Sequence, residues 1–199
     1  MTMGRRLAPR SFETVCGELD RRSRVALGFE RIRALLEKLA NPQEELKTVQ
    51  VVGTNGKGTT AVALTGALDA AGVRSGAYLS PHVLSYTERI MLGGDRVSEQ
   101  DFVAVMDEVM TLADRHEVPA TQFELLTAGA LKLFRDRGVE WAVLEAGLGA
   151  RHDATSVAAS ELVVLTNVGL DHTEHLGSSV EEIAREKLAS LRSSPSQTS

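Results

Sequence analysis

Residues 48–71 read TVQVVGTNGKGTTAVALTGALDAA. Residues 48–52 are short, β-branched and apolar, the composition of a buried strand. Residues 59–71 read as a helix that Gly72 stops. Between them lies a glycine-rich stretch that nearly spells a phosphate-binding loop. The usual pattern places Lys directly before Ser or Thr, with its first Gly four residues before the Gly-Lys pair. Here Gly58 separates Lys57 from Thr59, and Gly53 stands only three residues before Gly56. The context matters more than the spelling. Glycines let a backbone curl with its N–H groups pointing inward. A helix N-terminus adds partial positive charge. Gly53, Thr54, Asn55, Gly56, Lys57, Gly58, Thr59 and Thr60 are therefore the expected nucleotide-phosphate loop. Lys57 would offset β- or γ-phosphate charge, and a Thr59 or Thr60 hydroxyl would face Mg²⁺. The competing reading is an ordinary βα turn.

Outward from this loop, strands and helices alternate. Residues 74–80, RSGAYLS, suggest the next strand, which completes a β–loop–α–β unit. Upstream, residues 28–39, GFERIRALLEKL, place Ile32, Leu35, Leu36 and Leu39 at helical spacing, and Asn41-Pro42 ends the run. Residues 89–97, RIMLGGDRV, look like a small hairpin. A helix is expected from Ser98 to about His116. Another follows the capping-box spacing of Thr121 and Glu124, and Gly138 stops it. The runs WAVLE (141–145) and LVVLT (162–166) read as strands covered on both faces. Residues 179–188 are a last helix, with Glu182 at capping-box spacing. The fold class is α/β, doubly wound, with a mostly parallel sheet of P-loop type. Residues 1–190 are expected to form one nucleotide-binding domain and 191–199, LRSSPSQTS, a polar tail.

The bulk numbers narrow the function classes. A chain of 199 residues suits one domain, or one with part of another. A net charge of -5 gives no basic footprint for nucleic acid. No window approaches the roughly 18–20 apolar residues of a membrane span. The start, MTMGRRLAPR, lacks the apolar run of a signal peptide. Cys16 is the single cysteine, so no intramolecular disulfide forms. These features read as a cytoplasmic protein without a membrane or nucleic-acid partner.

In an open α/β sheet, ligands bind outside the carboxyl ends of the strands. Ser80, Glu145, Asp171 and His172 fall there. An oxygen-rich cluster near a triphosphate suits Mg²⁺, which takes few protein ligands beside phosphate oxygens. His172 is unusual company for that ion on chemistry alone. His172 and His175 do not make a zinc site, because no third ligand is evident by spacing. A cap or loop hydrogen bond explains Asp171 or His175 equally well. It explains Glu145 less well, since a carboxylate after four apolar residues is costly to place without a partner.

Five motifs occur in order: GTNGKGTT, SPHVLSYTERI, TQFELLTAGALKLF, VLEAGLGARHDAT and TNVGLDHTEHLGSSVEEIAREK. Together they resemble the folylpolyglutamate synthase/dihydrofolate synthase family, a branch of the Mur ligase superfamily. The resemblance covers roughly residues 25–187, and Gly58 looks like a marker of the folate branch. It implies a Mur ligase central domain and an ATP-dependent ligase. ATP would phosphorylate a carboxylate of dihydropteroate or folate, and the amine of L-glutamate would attack the acyl phosphate. ATP and Mg²⁺ are the implied cofactors, and the family is usually monomeric. Residue by residue, 54–60 would hold the nucleotide, with Lys57 catalytic. Ser80, Glu145 and His172 match magnesium ligands, and His172 is also a catalytic candidate. Lys187 matches a lysine that is carbamylated in the family, although its spacing alone reads as a solvated helix lysine. Leu27, Gly28, Phe123, Glu124, Arg151 and Asp153 match positions near a pterin pocket. Phe123 could instead be core, and Tyr86 and Arg89 could instead be surface residues.

Some positions depart from the resemblance. The family usually reads GLGGRLDATN where this chain has GLGARHDATS, so Ala150, His152 and Ser156 replace Gly, Leu and Asn. Ala150 matters if that backbone needs positive φ. The chain also turns to EKLASLRSSPSQTS where the family usually continues EKAGI, completes the sheet and adds a second domain. The sheet is thus expected to be incomplete at its C-terminal side, with an exposed edge, and without the family's C-terminal domain. Two alternatives stay open. One is a non-catalytic nucleotide-binding remnant. The other is a Mur-type ligase of cell-wall precursors, against which Gly58, SPH and YTERI argue.

Overall fold

A computed structural model describes residues 10–170 and 177–189. Its strands are β1 (Lys47–Val52), β2 (Ser75–Tyr78), β3 (Ile90–Leu92), β4 (Asp95–Arg96), β5 (Trp141–Glu145) and β6 (Leu162–Leu165). They form one sheet in the order β4-β3-β2-β5-β1-β6. β2, β5, β1 and β6 run parallel, and β3 and β4 add an antiparallel hairpin. The order places β1 centrally, so the glycine-rich loop leaves from the middle of the parallel sheet.

Side chains alternate across the sheet, as a pleated strand requires. Val49, Val51 and Val143 face α3 (Lys57–Ala70), whose Ala61, Leu64 and Leu68 pack on them. Tyr78, Ala142 and Leu144 face the other way into the larger core. That side is covered by α1 (Phe12–Arg21), α2 (Glu30–Lys38), α4 (Glu99–Arg115) and α5 (Gln122–Asp136). Every residue of α5 from Glu124 to Phe134 is buried. A helix enclosed on all sides can lose amphipathicity, and α5 lies between the sheet and the outer helices α2 and α4.

The predicted caps form. Ser98 Oγ accepts from the Asp101 N–H at 3.1 Å. The Thr121–Glu124 and Ser179–Glu182 pairs are both reciprocal capping boxes. The latter opens α6 (Val180–Lys187).

Three features differ from the sequence expectations. Helix α1 was not anticipated; Ser11 caps it and Val15 and Leu19 supply its buried stripe. Helix α3 starts two residues early, because Gly56 takes the left-handed N-cap conformation at φ +77 and brings Lys57 and Gly58 into the first turn. Strand β6 is not covered on both faces: Leu162 is 53% exposed and the next three residues are half-buried. Its position at the sheet edge, paired only with β1 among the described residues, is the physical reason. Ala150 is not among the positive-φ residues; Gly149 carries that conformation at φ +68.

Two glycines test the packing. A Cβ on Gly76 of β2 would lie 2.6 Å from Phe134 Cε1 and 3.1 Å from the Met91 carbonyl oxygen. Gly66, on α3, meets nothing within 4 Å. Gly76→Ala is expected to cost about 1–3 kcal/mol through overpacking, and Gly66→Ala to gain up to about 1 kcal/mol through helix propensity. Urea denaturation midpoints of the two variants check both signs.

Candidate active site

The glycine-rich loop is tied down from the far side by the chain that follows β6. Thr54 N–H donates to the Asn167 carbonyl at 3.0 Å, and Asn55 N–H donates to Asn167 Oδ1 at 2.9 Å. Thr166 Oγ1 and Asn167 Nδ2 both donate to the Asn55 carbonyl, at 2.7 and 3.1 Å. Gly169 N–H donates to Thr54 Oγ1 at 3.0 Å. Gly53 permits this approach: at φ +148, a Cβ there would run into the Thr166 hydroxyl. Lys57 Nζ reaches back across the loop to the Thr54 carbonyl at 3.2 Å. Lys187 is not a solvated helix lysine. It is 4% exposed, and its Nζ donates to the Gly53 carbonyl at 2.8 Å.

Gly58 has a local reason to be glycine. A Cβ there would stand 3.3 Å from Glu145 Oε2. Glu145 ends β5, is 5% exposed, and accepts from the Ser80 N–H at 2.9 Å and from the Gly58 N–H. Burial pushes its carboxyl above the ordinary value, against the pull of the Ser80 N–H, the Lys57 charge, the Gly58 N–H and the Arg89 charge. The Glu145 carboxylate, with the Ser80 backbone bonded to it, thus stands beside the phosphate loop, at a place where a cation would relieve a buried anion. That donor chemistry fits Mg²⁺, which would take Glu145 and Ser80 among its ligands beside phosphate and water. Asp171, His172 and His175 lie outside the described residues.

Behind the loop is a cavity of about 200 Å³. Leu27, Gly28, Phe123, Glu124 and Asp153 all line it; Arg151 does not. Arg151 instead ties its turn to α6, donating from Nε to Glu186 Oε2 at 2.8 Å. Phe123 does both: half-buried, it packs on the core with its ring 5.8 Å from that of Tyr78, and it lines the cavity. Glu124 and Asp153 are both hydrogen-bonded within the protein. Glu124 accepts from the Thr121 N–H at 2.8 Å and from Arg31 Nε at 3.1 Å on both oxygens. Asp153 accepts from the N–H groups of Gly147, Leu148 and Thr155, each at 2.9 Å, and from the Thr155 hydroxyl at 2.6 Å. Burial pushes the Asp153 carboxyl up, and these donors oppose the push. Ser156 bridges the same loop to β1, donating to the Ala150 carbonyl at 2.6 Å and accepting from Gln50 Nε2 at 2.7 Å.

Sequence reasoning missed Arg31. It clamps Glu124 and also donates to the Ala26 carbonyl at 2.8 Å, which holds the segment carrying Leu27 and Gly28. Its spacing within α2 reads only as a solvated charge, so no local signal marks it. Tyr86 and Arg89 are not surface residues; they are 6% and 7% exposed. Tyr86 donates to Asp20 Oδ1 at 2.5 Å, and Arg89 Nε donates to His82 Nδ1 at 2.8 Å. Burial, then the Arg89 charge, holds His82 below its ordinary value.

With this geometry in place, the comparisons with known proteins agree. Residues 51–198 match the Mur ligase middle domain, and the chain belongs to that family. It is 40% identical over 164 residues to a probable dihydrofolate synthetase of Schizosaccharomyces pombe, covering 82% of this chain and 39% of that protein. It is 38% identical over 169 residues to the dihydrofolate synthase/folylpolyglutamate synthase of Escherichia coli, covering 85% of this chain and 40% of that one. The solved structure of E. coli FolC in complex with DHPP and ADP superposes with a TM-score of 0.83 at 35% identity, covering 90% of this chain and 44% of that one. The chain therefore spans about 40% of the length of the curated relatives it matches. Among the described residues, no helix is long and apolar enough to cross a membrane.

The Glu145 geometry gives a pH test. A carboxyl raised by folding carries no penalty below its unfolded value, and the penalty grows as pH rises toward the folded value. In chelator, Glu145→Gln is therefore expected to melt above the wild type at about pH 8, with the difference closing near about pH 4, where ordinary carboxyls protonate. Melting temperatures across that range check it. A variant that melts well below the wild type at the upper end would contradict the picture of a strained buried anion.

Proposed function

We propose that the chain carries the ATP-binding and pteridine-binding part of a carboxylate–amine ligase of the folylpolyglutamate/dihydrofolate synthase type. One observation carries this reading. Glu145 faces the phosphate loop, and Gly147, two residues further along the same chain, lines the cavity. A ring held in the cavity would thus direct its attached carboxylate toward the γ-phosphate. The relatives' names and the DHPP and ADP of the E. coli complex support the substrate class.

In this reading, the γ-phosphoryl group of ATP passes to a carboxylate of dihydropteroate or folate. The amine of L-glutamate then displaces phosphate from the acyl phosphate, which yields an amide, ADP and phosphate. The backbone of residues 53–58 cradles the phosphates, and Lys57 offsets charge on the transferring group. Mg²⁺ at Glu145 and Ser80 would neutralise phosphate charge. Phe123 and the 147–153 loop position the acceptor, so that positioning supplies much of the rate. Lys187 holds the loop's first carbonyl. Carbamylation, as the resemblance implies, keeps one N–H on Nζ for that bond and makes the side chain an anion. The partners are small molecules, and the compartment is the cytoplasm.

Calorimetry with Mg·ATP tests the nucleotide half. Wild type is expected to bind, and Lys57→Ala to lose about 10-fold or more in affinity, the scale of a charge-assisted contact. Addition of dihydropteroate and glutamate, with ADP as the readout, then tests the ligase step. Absence of Mg·ATP binding by a folded wild-type chain would overturn the reading.

A further inference from the structure

Three main-chain N–H groups of the glycine-rich loop already have partners. Thr54 N–H donates to a main-chain carbonyl, that of Asn167, and Gly58 N–H to the buried Glu145 carboxylate. The third, at Asn55, is held by a side chain. Asn167 Oδ1 accepts from it at 2.9 Å, while Asn167 Nδ2 donates to the Asn55 carbonyl at 3.1 Å. These partners fix the amide's orientation, since an N–H only donates and a carbonyl only accepts. Both residues are exposed. An exposed side chain changes rotamer on the picosecond-to-nanosecond scale. The Asn55 N–H therefore has a partner that can leave without disturbing the core. It is also the kind of donor that phosphate oxygens take in a glycine-rich loop. The loop does not need the amide for its shape. Without it, the Asn167 carbonyl still accepts from Thr54 N–H, and Thr166 Oγ1 still donates to the Asn55 carbonyl at 2.7 Å. Gly169 still bonds Thr54 Oγ1, and Lys187 still holds the Gly53 carbonyl.

We propose that Asn167 is a positioning residue whose side-chain oxygen occupies the Asn55 N–H in place of a phosphate oxygen and yields it when a nucleotide binds. The inference rests on the nucleotide half of the reading above and adds to it a residue outside the loop. With the amide seated, the loop is short of one donor. The apparent affinity for nucleotide is then reduced by the fraction of chains in which that donor is open. A hydrogen bond of ordinary net strength leaves roughly three to ten chains seated for each one open. Exchange between the two is fast, so it lowers the association rate by the same factor. The dissociation rate is unaffected, because the amide has already left the bound state. A residue that only braced the loop would act the other way, and its loss would speed dissociation.

The experiment measures Mg·ATP binding to the full chain and to Asn167→Ala and Thr166→Val. Calorimetry gives the affinities, and stopped-flow competition against a fluorescent ATP analogue gives the rates. Asn167→Ala is expected to bind about 3- to 10-fold more tightly, through faster association with dissociation unchanged. Thr166→Val removes a tie to the Asn55 carbonyl and frees no N–H, so it is expected not to tighten binding. In the wild type, the Asn167 side-chain amide resonances are expected to shift when Mg·ATP saturates the chain. That readout needs no variant, and it decides alone if Asn167→Ala does not fold. Three results overturn the inference and leave the ligase reading standing. One is Mg·ATP binding by folded Asn167→Ala that equals or falls below the wild type. Another is equal tightening in Thr166→Val, which marks a general loosening of the loop. The third is an Asn167 amide that does not shift at saturation. If the folded wild type does not bind Mg·ATP, the nucleotide reading itself fails, and this inference with it.

Discussion

The site is organised around a carboxylate placed where its charge is unwelcome. Glu145 closes an apolar strand and is nearly inaccessible to water. Desolvation of an anion costs several kcal/mol unless donors replace the lost water. Two backbone N–H groups do so here, one just past β2 and one in the first turn of α3. That arrangement forces three elements into register at the carboxyl edge of the sheet. It also explains why Gly58 is inserted between Lys57 and Thr59. Any side chain at 58 would press on the carboxylate that the N–H must reach. The departure from the usual phosphate-loop spelling is thus the local cost of bringing an acid against the helix N-terminus.

Much of this was legible in the sequence, and the reasons are local. Caps at Ser98, Thr121 and Ser179 announce themselves by spacing, because each reciprocal bond lies within one helical turn. The strands β1, β2 and β5 read from composition, since both of their faces are enclosed. Helix α1 escaped because only Val15 and Leu19 are buried in a polar stretch. What sequence could not give is partnership at a distance. Arg31 meets Glu124 across 93 residues and Lys187 meets Gly53 across 134. Both lysine and arginine look like surface charges until the fold brings an acceptor to them.

The same distinction reshapes the roles of the matched pocket residues. Glu124 and Asp153 carry the resemblance, and the cavity does contain them. Their oxygens, however, are occupied by main-chain and arginine donors. A carboxylate held by such donors fixes the geometry of the groups around it. Removal of either would leave buried N–H groups unpaired and would disturb the cavity. Ser156 belongs to the same scaffold. It links the 150 carbonyl to Gln50, a polar residue buried in the middle of β1. The pocket loop is therefore fastened to the strand that also launches the phosphate loop.

The weakest part of the sheet holds the most important turn. β6 is the half-covered edge strand, yet the residues directly after it grip Thr54 and Asn55 through six hydrogen bonds. One of those bonds consumes the Asn55 N–H, a group that a phosphate oxygen would also want. Phosphate entry at that position must release Asn167, whereas entry elsewhere in the loop leaves the grip intact. By linkage, a ligand that favours one arrangement of the loop favours the matching arrangement of 166–169 to the same degree. Lys187 opposes drift from the other side, since its bond to the Gly53 carbonyl fixes the point where β1 becomes loop. The loop is thus held at its base by a buried lysine and at its tip by an edge strand. A base fixed in the core and a tip tied by hydrogen bonds that a phosphate oxygen can replace is the mechanical arrangement a phosphate-binding turn needs.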